Sequence, residues 1–451
     1  METETLARFV AQTRHEDIPP EARRKARHAL VDTLGVALAG HRESVSQLAL
    51  RWVEDVGARP QATLWGHGHG TSAAEAAFAN AVSAHALDFD DSLPTLRGHP
   101  SATLLAAALA VGEAVKASGS ELVTAYALGL EVAGKLGRAL GDDHYLRGWH
   151  TSSTVGVFSC AAAAARLWKL DTEATRAAFG LAASQMAGLV SNFGTMSKPF
   201  HMGQAAHAGV RAAWLAREGF SANPSVFEAP GGVIAVYGGP DGESLDALVS
   251  RLGAPWELLA PGINVKRWPC CYASHRPLSA FLAIKEAHGL NAGDIESVDV
   301  GFVPGNDAAL ISRSPDTGLA AKFSVEYAVA AAVIDGRVSM ESFTDARVQR
   351  PAVRELMARV HRHEIAASEL AFPAQIFATV SVRTARGVFQ ARADHAPGST
   401  ELGMTDADRR EKFLECTEAL MDEASALTLM NSIDHCETLP DISALVQALK
   451  V

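Results

Sequence analysis

Cysteine is scarce in this 451-residue chain: Cys160, Cys270, Cys271, Cys416 and Cys436 are all of it. The number is odd and no C-x-x-C pair occurs. That argues against a disulfide framework, a paired-cysteine zinc knuckle and a thioredoxin-like motif. A basic excess is also missing. The 40 Lys and Arg face 51 Asp and Glu, a formal charge of −11, whereas nucleic-acid binding favours a positive footprint. No apolar run reaches the ~18 residues of a transmembrane helix; the longest candidate, 155–165, ends at Arg166. Met1-Glu2-Thr3-Glu4 carries acids where a secretory signal needs positive charge, so reduced thiols and a cytoplasmic location are expected. Nucleotide and hydrolase signatures fail as well. There is no G-x-S-x-G, and Gly66-His67-Gly68-His69-Gly70 is not G-x-G-x-x-G. Gly129 to Lys135 reads G-x-x-x-x-G-K, but it runs on into Leu136 inside an apolar helical pattern with no strand before it.

What the chain does have is apolar bulk, 48% of residues, enough for two or three domains. Up to about residue 260 the pattern is helical, as at Leu30, Leu34 and Leu38. Segments 103–115 and 155–168 are apolar nearly all round, so other helices or a partner subunit must bury them. The texture changes near 262. Val298, Val300 and Phe302 alternate as in a strand, and 376–382 and 388–393 read as a hairpin through Arg386-Gly387. Helices are expected over about 318–334 and 342–360, and again over 406–422 and 441–450. The expected architecture is mainly α. A large all-helical domain (1–264 and 397–451) would carry an inserted, smaller α+β domain (265–396).

The densest polar stretch is His85-Ala86-Leu87-Asp88-Phe89-Asp90-Asp91-Ser92, followed by Arg97-Gly98-His99-Pro100-Ser101. Its carboxylates and imidazoles suit metal binding, or proton transfer in which a carboxylate orients a histidine. Taken alone it also fits a solvated loop with helix caps. A second pattern narrows the choice. His99, His150, Lys198 and His275 stand at or just before expected helix starts, marked by Pro100, Thr151, Pro199 and Pro277. A cation there opposes the helix dipole, and a local rule broken repeatedly in one way marks function. Free N–H groups plus added Lys and His suit a polyanionic small molecule, and the dipole favours neutral, basic imidazole. Lys266 and Arg267 offer further carboxylate clamps just ahead of Cys270-Cys271.

These residues resemble the MmgE/PrpD family, which includes 2-methylcitrate dehydratase, cis-aconitate decarboxylase and iminodisuccinate epimerase. The resemblance runs through Arg24–Gly40, the HALDFDD and GHPSA stretches, GWH, SKPFHMGQAAHAG, WPCCYASHRP and Lys322–Tyr327. It implies a helical domain with an inserted α+β lid, a homodimer and cofactor-free chemistry with no metal. It implies a pocket lined by Asp88, Ser92, His99, His150, Lys198, His275 and Tyr327. In that expectation Lys198 and His275 anchor carboxylates and stabilise charge, and His99 and His150 transfer protons. Asp88 orients a histidine, Tyr327 donates or binds, and Ser92, His201, Lys266 and Arg267 contact substrate. The expected activity is a lyase on a citrate- or aconitate-like polycarboxylate, with dicarboxylate epimerisation as the alternative. A metal-dependent hydrolase using His85, Asp88, Asp90, Asp91 and His99 and a non-catalytic helical scaffold are the other classes.

Overall fold

Small side chains let the helices approach closely, and that closeness sets the whole body. The computed structural model describes residues 1–366, Ser368, Leu370 and 376–450. The helix Ser197–Arg217 packs between Ala73–His85 and Gly156–Leu167. A Cβ added at Gly203 would lie 2.7 Å from Phe78 Cδ2, and one at Gly209 would lie 2.4 Å from the Cys160 Cβ. Glycine is required at both points for backbone contact, and this seats the start of the helix, with Lys198 and His201, deep in the body.

The all-round apolar helices Ser101–Val115 and Gly156–Leu167 are buried by neighbouring helices of the same chain, with Leu104, Val111, Phe158 and Ala163 fully covered. They therefore give no argument for a partner subunit. Val115, at the end of the first of them, is exposed, and the other exposed apolar side chains include Leu48, Trp52 and Phe200. Among the described residues, no helix is long and apolar enough to cross a membrane.

One hydrophobic cluster gathers residues from Leu6 to Leu258 and again from Phe413 to Leu449. A second gathers Trp268 to Ala393 around a four-stranded sheet. In that sheet Ile295–Phe302 runs parallel to Val360–Glu364 on one side and antiparallel to Ala378–Thr384 on the other, with Gly387–Ala393 beyond. Val298 and Val300 register against Val382 and Val380, all buried.

Several boundaries differ from the sequence expectation. The stretch 342–360 is broken rather than one helix. Asp345–Val348 ends before Pro351, which opens Pro351–Met357 where its missing N–H is harmless. Val360–Glu364 then pairs as a strand whose sequence, Val-His-Arg-His-Glu, has no apolar alternation to announce it. The expected helix 318–334 divides at Ser324, whose hydroxyl accepts from Tyr327 N at 3.1 Å. At the C-terminal end Asp406–Thr417 stops short of 422, and a further helix, Glu423–Asp434, starts at Asp422. Asp406–Thr417 lies against Pro20–Gly40 and carries Lys412 into the interior.

Candidate active site

The helix Ala73–His85 ends at the polar stretch. The next residues turn sharply, with Asp88 in the left-handed region at φ 51°. For a non-glycine residue that conformation costs about 1–2 kcal/mol, and aspartate is among the few that tolerate it. The turn faces a set of buried cations. Lys198 Nζ donates to Asp88 Oδ1 at 2.5 Å, and Lys266 Nζ lies 3.0 Å from Oδ2. Burial alone would raise the Asp88 carboxyl, but these two ammonium groups outweigh it and hold it well below the usual range.

Two imidazoles complete this face. His85 Nδ1 lies 2.8 and 2.9 Å from the two Asp90 carboxylate oxygens, so it carries the proton donated to them. Its Nε2 is buried, has no hydrogen-bond partner and sits 3.6 Å from Asp88 Oδ1. His99 Nδ1 lies 2.7 Å from the Asp91 carbonyl and must donate to it, leaving Nε2 as a free lone pair 3.8 Å from Asp88 Oδ1. The His99 backbone N–H donates to Ser152 Oγ at 2.8 Å. The two rings are 4.6 Å apart. Burial pushes both imidazoles below their ordinary range, and for His99 the nearby Lys266 and Lys198 ammonium groups add to it against Asp90.

A second imidazole pair flanks Lys198. His150 stands just before the short helix Thr151–Thr154, and its Nδ1 lies 2.9 Å from His201 Nδ1, so one of the two donates and the other accepts. Burial lowers both, with Lys198 contributing in each case, His201 to about 4. The Phe193 ring joins the pair to the cation, 4.8 Å from His150 and 5.0 Å from Lys198 Nζ, and Phe323 covers the ammonium at 5.1 Å. Burial and the neighbouring lysines thus favour the neutral form of each of these imidazoles.

Asp91 is different from its neighbours. It accepts from Ser101 Oγ at 2.5 Å, and Ser101 Oγ lies 2.6 Å from Tyr126 OH. Burial, with the Asp32 and Asp90 charges, pushes its carboxyl up to about 8 in spite of Ser101, so it holds a proton at neutral pH.

Asp88, His99, Lys198 and Lys266 thus meet directly, with His150 and His201 next to Lys198. Ser92 lies on the rim, paired with Asn264 by backbone hydrogen bonds of 2.8 Å in both directions. His275 opens the helix His275–His288 with Nε2 on the Trp268 carbonyl at 3.1 Å and Nδ1 buried without a partner. Burial and then Lys266 pull it down to about 3. Two expected residues are not brought to the cluster. Tyr327 lies in the second hydrophobic cluster, its hydroxyl donating to the Ser342 carbonyl and its ring against Phe343. The residue its segment presents to Lys198 is Phe323. Arg267 turns outward and pairs with Glu411 at 3.0 Å.

Four residues beyond the expected pocket reach this turn: His85 and Asp90, expected only as metal ligands, and Lys322 and Lys412. A lysine inside the apolar run Leu319–Tyr327 was a signal for Lys322. None exists for Lys412, which sits in a helix crowded with charges. Among the described residues His85, Asp90 and His99 offer donor atoms within 4.8 Å of one another, a set that suits a cation. Two ammonium groups on the adjoining Asp88 carboxylate oppose a further positive charge there.

Buried imidazoles, an ammonium group between aromatic rings and a carboxylate on a left-handed turn have the chemistry to accept an anion and to move a proton. The chain is 28% identical to mouse cis-aconitate decarboxylase over 99% of its own length and 93% of that protein. It is 27% identical to the human cis-aconitate decarboxylase over 99% and 94%. With the cis-aconitate decarboxylase of Aspergillus terreus it shares 24% identity over 79% and 77%. Residues 4–245 match the MmgE/PrpD N-terminal domain and residues 268–435 the MmgE/PrpD C-terminal domain, and the chain belongs to the MmgE/PrpD family.

Proposed function

We propose that this protein is a cofactor-free lyase that decarboxylates cis-aconitate or a close tricarboxylate analogue. The observation that carries the reading is the convergence of the Lys198 and Lys266 ammonium groups with the free Nε2 atoms of His85 and His99 at one buried carboxylate. A substrate carboxylate competes with Asp88 for Lys198. Its negative charge, arriving beside neutral imidazoles, raises their basicity so that one takes up a proton from solvent.

The bond from the substrate skeleton to one carboxylate carbon then breaks and CO₂ leaves. The electron pair delocalises toward the remaining carboxylates, where the lysines stabilise it. Protonated His99 returns its proton to carbon, giving a five-carbon dicarboxylate, and His150 with His201 supplies a second proton-holding pair. In this reading residues 265–396 act as a lid that excludes water, and a second copy of the chain covers the exposed Leu48, Trp52 and Phe200 in a homodimer.

Proton NMR in D₂O with EDTA tests the reaction on cis-aconitate, citrate, 2-methylcitrate and iminodisuccinate. Loss of CO₂ with one deuterium incorporated supports decarboxylation, and water loss or epimerisation would replace it by the sister reactions. Turnover that requires added metal would favour the second reading, a metal-assisted reaction on the His85, Asp90 and His99 donors.

A further inference from the structure

The turn that presents Asp88 is held by its backbone in an unusual way. Its consecutive carbonyls each accept from a different buried ammonium group: Leu87 O from Lys322 at 2.6 Å, Asp88 O from Lys266 at 2.6 Å and Phe89 O from Lys412 at 2.9 Å. The lysines come from widely separated parts of the chain. Lys322 lies in the segment that enters the second hydrophobic cluster and also donates to Pro269 O at 2.9 Å. Lys266 stands at the junction between the two clusters. Lys412 belongs to Asp406–Thr417 and pairs with buried Asp32 at 2.7 Å. All three lysines are buried. These carbonyls follow the C-terminal end of Ala73–His85, where the helix dipole favours cations. A turn of this kind could be satisfied by water or by neutral donors. Three buried charges on consecutive carbonyls are a costly alternative, and the residue they fix is the one with positive φ.

We propose that Lys322 and Lys412 are positioning residues for Asp88. Together with Lys266 they set the left-handed turn that aims its carboxylate at Lys198 and the His85 and His99 imidazoles. Because Lys322 arrives with the second cluster and Lys412 with the helix Asp406–Thr417, the turn is complete only when both are seated on the helical body. This inference rests on the reading of the Asp88 cluster as the reaction site.

The test uses Lys322→Met, which removes an ammonium bonded to carbonyls, and the charge-matched double variant Asp32→Asn/Lys412→Met. Histidine side-chain ¹⁵N NMR of the substrate-free protein reports the surroundings of His85 and His99, and steady-state kinetics on cis-aconitate report the reaction. The expected result is a shift of both imidazole signals and a kcat lowered about 10²-fold, with KM within about threefold because the substrate-binding Lys198 is untouched. Folded variants with unchanged imidazole signals and wild-type kcat would overturn the proposal. So would failure of both variants to fold, which would make these lysines structural supports only. If the wild type turned over no polycarboxylate, the proposed function would fall, while the imidazole signals would still decide this inference.

Discussion

Two buried charge networks lie in the same helical body, and they are built differently. In the first, Glu257 accepts from Lys135 at 2.9 Å, Arg138 at 3.1 Å and Thr95 Oγ1 at 2.9 Å. Glu131 accepts from the backbone N–H groups of Gly253 and Glu257 at 2.9 and 2.7 Å and lies 3.2 Å from Lys135. These contacts leave its carboxylates fully occupied. In the second, around Asp88, His85 Nε2 and nearby His275 Nδ1 are buried without a partner, and the His99 lone pair faces a carboxylate oxygen. A closed network of this type fixes geometry, here that of the 92–98 loop against Gly119–Leu146. An open one keeps unused donors and acceptors for a ligand, at a cost in stability.

The largest effect that could break this comparison is on catalysis. Lys198→Ala removes the ammonium that would meet the substrate. It should lower kcat/KM on cis-aconitate by about 10³-fold, or ~4 kcal/mol, while the far-UV spectrum stays native; steady-state assays with circular dichroism check both. Glu257→Gln should do the reverse. It leaves Lys135 and Arg138 short of a partner and should cost about 3 kcal/mol in denaturant unfolding, with kcat of the folded protein within about twofold.

A pH effect comes next. The Asp91 carboxyl is raised to about 8 in the folded protein, against its ordinary value of 3.8. The folded state therefore binds the extra proton between these values, and its contribution to stability is full at low pH and lost as pH rises through about 8. Asp91→Asn mimics the protonated form, so its melting temperature should gain on wild type between pH 5 and pH 9. Equal shifts at both pH values would contradict the assignment. The smallest effect should come from Tyr327→Phe. It loses one hydrogen bond, worth ~1 kcal/mol, and should keep kcat within about threefold, since its hydroxyl is committed to Ser342.

The same contrast explains what could be read from the chain. The helical body was legible because its apolar residues repeat at helical spacing, and the strand Ile295–Phe302 because Val298, Val300 and Phe302 alternate. Val360–Glu364 was not, because its polar residues carry no period and its place is set by pairing with Ile295–Phe302. The polar residues of 85–101 stood out because carboxylates and imidazoles interrupt an apolar sequence. Helix-start signals singled out Lys198 and His150, and the family resemblance grouped them with these residues. Tyr327 lies apart from the cluster because a motif gives only a residue's neighbourhood; four positions earlier, Phe323 faces Lys198. Lys412 lay outside any local reading, since its role depends on a helix hundreds of residues away from Phe89 folding back onto Pro20–Gly40.

The most direct test of the central claim follows cis-aconitate by NMR in D₂O with wild type, Lys198→Ala and Tyr327→Phe in parallel. The expected result is CO₂ release with one deuterium per product for wild type and Tyr327→Phe, and near silence for a folded Lys198→Ala. Wild-type turnover by Lys198→Ala would contradict it, because the open network around Asp88 would then not be where the reaction occurs.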